Sequence, residues 1–81
     1  MGEIGEKDVM GIIQKALDLG NKVLTKESSV DNVEEWDSLG HVSILVALDK
    51  AFDGRIGNIR EMAVADSVQK VVDVLRLNSL I

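Results

Sequence analysis

The 81-residue chain contains no cysteine, so neither a disulfide framework nor a thiolate metal site can form. That absence fits a reducing compartment, and a cytoplasmic location is the expectation. No apolar run approaches the length that spans a bilayer, and the charged opening Met1–Asp8 lacks the apolar core of a signal peptide. A soluble protein with no membrane partner is expected. Basic residues are scarce: nine Lys and Arg stand against fourteen Asp and Glu, a formal net charge of −5. Phosphate-backbone binding needs clustered basic side chains, so nucleic acid is not an expected partner. One histidine among dispersed carboxylates gives no metal-ligand spacing, and Asp49, Asp53 and Gly54 do not follow the calcium-loop pattern. Internal repeats, low-complexity tracts and alternating strand patterns are also lacking.

What is present is helical periodicity. A chain of this length makes one domain, residues 1–81, with a core only just large enough to stand without staples. Val9, Ile12, Ile13, Ala16 and Leu17 recur at three- and four-residue steps and predict an amphipathic helix from about Glu6 to Leu19, stopped by Gly20 and Asn21. From Asn21 to Trp36 no period is sustained, which predicts a long loop that Val23, Leu24, Val30 and Val33 could pin to the core. A second helix is predicted over Ser38–Phe52, ended by Gly54 and Gly57, and a short one over Asn58–Met62. The last is predicted to start at a cap on Asp66 or Ser67, with Gln69 as capping-box partner and a stripe of Val68, Val71, Val72 and Leu75. Leu77–Ile81 is expected to fray or dock weakly. The fold class is therefore all-α: a small four-helix bundle of three longer helices and a short third one, with a long loop between helices 1 and 2.

Charge is unevenly spread along this frame. Glu27–Asp53 holds seven acids and one base, whereas the remainder is close to neutral. Such a field steers basic partner surfaces toward Ser38. Around the circumference of the second helix, Ile44, Leu45, Leu48, Ala51 and Phe52 share one arc, the core face. Leu39, Val42 and Val46 form a separate stripe beside Asp49. Either a neighbouring helix covers it, or it stays exposed as a docking surface.

The stripe starts one residue after Ser38, the residue with the greatest chemical promise. Trp36-Asp37-Ser38-Leu39-Gly40-His41 places its hydroxyl in the first turn of an apolar helix, where unpaired N–H groups and the macrodipole favour a phosphate ester. Spacing alone also suits a plain capping serine. A Ser38, His41 and Asp37 hydrolase lacks a glycine-flanked nucleophile elbow and an oxyanion donor, so no catalytic residue is assigned. His41 reads as a surface residue beside whatever Ser38 carries. Trp36 reads as an apolar lid with its N–H bonded locally or to water. Ile59 and Met62, facing Ile44 and Leu48, would line either ordinary core or a cavity for an apolar chain.

At these residues the chain resembles the acyl carrier protein family, which attaches its cofactor at an Asp-Ser-Leu opening the second of four helices; here that is Asp37-Ser38-Leu39. The resemblance covers nearly the whole chain, including the helix ending Leu48-Asp49-Lys50-Ala51-Phe52 and the capped Val-rich last helix. It implies that a phosphopantetheinyl transferase moves 4'-phosphopantetheine from coenzyme A onto Ser38, and that acyl groups ride on the terminal thiol as thioesters. It implies a non-enzyme, expected to be monomeric, serving acyl-transferring or synthase enzymes with basic surfaces in a fatty-acid, polyketide or specialised pathway. Leu39, Val42 and Val46 match the family's partner contacts, Asp37 and Asp49 its charges, and Ile44, Leu48, Ile59 and Met62 would line the acyl chain. Departures are Gly40, His41, Ser43 and Lys50 where many fatty-acid carriers have acids, and Arg60 on the third helix; these point toward different partners. A peptidyl carrier would share the chemistry, and an unmodified helical adaptor would use the stripe alone.

Overall fold

Asp8 closes the first helix start by accepting a hydrogen bond from the Gly5 backbone N–H at 2.9 Å, and from there α1 runs Glu6–Ala16. The computed structural model describes residues 4–81; the expectation for Met1–Glu3 lies outside them. The order is α1, α2 (Ser38–Ala51), a 3-10 turn (Arg60–Val64) and α3 (Val68–Leu77). The architecture is all-helical, with three α-helices and, among the described residues, no strand beyond one isolated bridge between Ser29 and Ser67.

Val9, Ile13 and Leu17 of the first stripe share one buried core with Ile44 and Leu48 of α2, Phe52 at its C-cap, and Val68, Val71, Val72 and Leu75 of α3. Each such side chain removed from water contributes about 1.5–3 kcal/mol, so this seam holds the helices together. Leu45 and Ala51, also expected on the core face of α2, are half-buried.

Several expected boundaries are corrected. The first helix stops at Ala16 rather than near Gly20: Asp18 takes the left-handed conformation (φ 54°), its N–H bonds the Lys15 carbonyl, and Leu19 N–H bonds the Gln14 carbonyl. That pairing is the Schellman motif. α2 ends similarly at Asp53 (φ 56°), with Gly54 N–H on the Asp49 carbonyl, and α3 at Ser79 (φ 59°), with Leu80 N–H on the Leu75 carbonyl. The tail after α3 thus turns back, and Leu80 and Ile81 pack partly buried on the core, the docking alternative of the two expected.

The short third helix is a 3-10 turn displaced toward the C-terminus. Its cause is a period of three: Ile56, Met62 and Ala65 are buried and Ile59 half-buried, with N–H of Ile59, Met62 and Ala65 bonding the carbonyls three residues back. Residues i and i+3 eclipse in a 3-10 helix, so one apolar edge docks only in that winding. Ser67, not Asp66, caps α3 by accepting from Lys70 N–H; Gln69 falls one position short of a capping box and bonds Asp73 instead.

The long loop is ordered by backbone pairing rather than by apolar pins alone. Leu24 is buried and Val33 partly so, but Val23 and Val30 are exposed, contrary to expectation. Val68 N–H donates to the Ser28 carbonyl and Gln69 N–H to that of Lys26, so the loop satisfies two orphan donors at the start of α3. Glu6 fastens the same loop, pairing with Lys26 at 2.7 Å and with Arg76 of α3 at 2.6 Å. No helix among the described residues is long and apolar enough to cross a membrane.

Candidate functional site

Asp37 stands immediately before α2 in extended conformation, and its Oδ1 accepts the Gly40 N–H at 2.8 Å. It is the cap, which leaves Ser38 as the first helical residue. The Ser38 hydroxyl is exposed and has no hydrogen-bond partner among the described residues, whereas Ser28, Ser29 and Ser67 each accept a backbone N–H. Among the described residues the backbone N–H groups of Ser38 and Leu39 likewise meet no protein acceptor, so two helix-start donors face solvent beside the hydroxyl. An oxygen nucleophile or its ester sits there without displacing any internal contact.

Gly40 is explained by packing. A Cβ at this position would overlap the Glu35 carbonyl oxygen and lie 2.8 Å from Leu17 Cδ2, because the loop crosses directly over the first turn of α2. The glycine is the clearance that lets the loop deliver Asp37 to its capping position.

His41, expected on the surface beside Ser38, does line the groove next to it but is half-buried and bonded inward. Trp36, 1% exposed, donates its Nε1–H to His41 Nδ1 at 3.1 Å, and the nearly coplanar rings, 15° apart, meet edge to edge. Since Nδ1 must accept, Nε2 carries the proton and donates to the Met62 carbonyl at 2.9 Å. One imidazole therefore ties the loop, α2 and the 3-10 turn together. An aromatic five residues before a histidine was the available signal, but only the fold supplies the Met62 carbonyl.

An open groove of about 690 Å³ runs beside Ser38, walled by Val30, Trp36, His41, Ala63, Val64 and Asp66. The hydrogen bond from Lys70 holds the Asp66 carboxyl below its ordinary value. On the outer face of α2, Leu39, Val42 and Val46 are 79%, 56% and 51% exposed, so no neighbouring element covers the stripe.

The expected acyl-lining residues separate. Ile59 and Met62 join Leu45, Val46 and Ile56 around a pocket of about 460 Å³ between α2 and the 3-10 turn. Ile44 and Leu48 do not line it; both are fully buried in the central core. Leu45, rather than those two, is the α2 residue that shares the pocket lining with Met62.

The acidic field is partly consumed inside the fold. Asp49 Oδ1 accepts backbone N–H from Ile56 and Gly57, both at 3.1 Å, and so organises the loop after α2. Glu35 pairs with Lys22 at 2.6 Å; that hydrogen bond lowers the glutamate's pKa and raises the lysine's. Glu27, Asp31, Glu34, Asp37 and Asp53 remain exposed, Asp37 beside Ser38 and Asp53 just past the far end of α2. Among the described residues no group of carboxylates and histidine is arranged to hold a metal ion.

Compared with protein-family models, curated proteins and solved structures, the chain finds no match.

Proposed function

We propose that the chain is an acyl carrier protein, modified on Ser38 with 4'-phosphopantetheine by a phosphopantetheinyl transferase. The observation that carries this reading is the division of labour at the start of α2: Asp37 performs the capping, and the adjacent Ser38 hydroxyl has no structural duty. A serine placed for capping alone would bond an N–H of the first turn. The cofactor fits the surroundings, because an exposed hydroxyl, two solvent-facing N–H groups and the positive end of the helix accept a phosphodiester without burying charge. Bound, it would supply the thiol that a chain without cysteine lacks, holding acyl groups as thioesters.

In this reading the three α-helices and the 3-10 turn correspond to the four helices of a carrier bundle. Leu39, Val42 and Val46 form the apolar contact for partner enzymes, with Asp37 and neighbouring acids steering basic surfaces toward it. Because Asp49 also serves the loop after α2, its charge contributes less to partner choice than Asp37. Exposure of the same stripe supports a second reading, an unmodified adaptor that binds a protein partner through α2.

Incubation with coenzyme A and a promiscuous phosphopantetheinyl transferase separates the two. The carrier reading expects one added phosphopantetheinyl mass on the wild type and none on Ser38→Ala; an unchanged wild-type mass leaves the adaptor.

A further inference from the structure

We propose that His41 is a specificity-determining latch, holding the apolar pocket between α2 and the 3-10 turn shut against the Ser38 side. Ser38, His41 and Leu45 follow one another at single-turn spacing along α2. Ser38 and His41 wall the outer groove, and Leu45 walls the apolar pocket. Ala63 belongs to both walls, so the two spaces are neighbours on one track. The His41 Nε2–H bond to the Met62 carbonyl crosses that track from α2 to the turn, and Met62 is itself part of the pocket lining.

The latch is held from behind. The Trp36 indole is buried and donor-only, so its bond to Nδ1 fixes both the ring orientation and the tautomer that donates to Met62. Swinging the imidazole aside to admit a chain from Ser38 costs both hydrogen bonds and leaves the Trp36 N–H without its acceptor. The closed arrangement selects cargo that stays outside: short or polar groups are carried freely, and a longer alkyl chain enters only at the expense of the latch. The biological cargo rests on the carrier reading of Ser38, but the barrier on the Ser38 side is a property of the unmodified chain.

The pocket also opens to solvent past the half-exposed Val46, so the test tethers the probe at position 38. Ser38→Cys, the single thiol of a chain that has none, is labelled with an octyl group through a disulfide, and the methyl resonances of Leu45, Ile59 and Met62 are the readout. The tethered octyl group is expected to shift these methyls when His41→Ala is combined with it and to leave them unshifted when His41 is present. His41→Gln, which keeps one donor and one acceptor, is expected to stay unshifted and controls for general loosening. Equal shifts with His41 and with His41→Ala, no shift in either, or a full shift with His41→Gln would overturn the proposal. An octanoyl-phosphopantetheinyl group loaded on Ser38 from octanoyl-coenzyme A should shift the same methyls in His41→Ala and not in wild type. Failure to load would count against the Ser38 reading alone, since the disulfide-tethered octyl group decides the latch without it.

Discussion

Asp37, Ser38 and Gly40 carry three separate duties at the start of α2, and substitution separates them. Asp37→Ala removes the cap and should lower stability by about 1 kcal/mol in chemical denaturation. Ser38→Ala removes a hydroxyl without an internal partner and should leave stability within about 0.5 kcal/mol of wild type. Gly40→Ala forces a methyl against the Glu35 carbonyl and should cost about 2 kcal/mol or more. A Ser38→Ala loss as large as that of Asp37→Ala would mean that the serine holds the helix start after all. The Asp-Ser-Leu tract was legible in the sequence, but which of Asp37 and Ser38 capped the helix was not, because both residue types favour that position. Gly40 and His41 read as departures in partner preference; the fold gives them internal reasons that no spacing carries, a crossing backbone and a carbonyl 21 residues away.

Among elements, the helix ends are where periodicity misled. Gly20 drew the first boundary too far, since the left-handed position is filled by Asp18, whose short polar side chain tolerates it. Asp18→Gly and Asp53→Gly should each raise stability by about 0.5 kcal/mol, read as a higher melting temperature, because glycine relieves the positive φ. A fall in melting temperature would show that the aspartates make contacts worth more than the strain. The 3-10 turn was legible as a short helical segment and mis-set in register, because a 3.6-residue period was sought where the apolar residues recur every three. The ion pairs joining loop and helices act at this scale too. The hydrogen bond from Lys26, reinforced by the charges of Lys26 and Arg76, holds Glu6 below its ordinary value near 4.5. A carboxyl lowered on folding contributes stability that is full above pH 4.5 and lost as the pH falls through its folded value. Glu6→Gln should therefore narrow the stability difference between neutral pH and the acid range; an unchanged acid dependence would remove the triad from the account.

At the scale of the whole molecule, one surface is apolar, acid-rimmed and uncovered. Leu39→Asp should leave far-UV helicity intact, because Leu39 is 79% exposed, while weakening binding to a carrier-dependent enzyme. Loss of helicity would return the stripe to the core. The all-helical class, the core face of α2 and its second stripe were legible from periodicity alone, because a packed helix and a docking face both write in steps of three and four. Whether the second stripe stayed uncovered depended on where α1 and α3 lie. The sequence-wide acidity overstated the free field, since Lys22 folds back onto Glu35 and Asp49 turns inward to a loop. The central claim is that one serine among six is the attachment point, and the chain carries its own controls: Ser28, Ser29 and Ser67 bond backbone N–H groups, while Ser43 and Ser79 are exposed elsewhere. The direct measurement is peptide-resolved mass spectrometry after incubation with coenzyme A and a phosphopantetheinyl transferase. The account predicts a single phosphopantetheinyl group on the peptide containing Ser38; no modification, or a group on Ser43, Ser79 or any other serine, would contradict it.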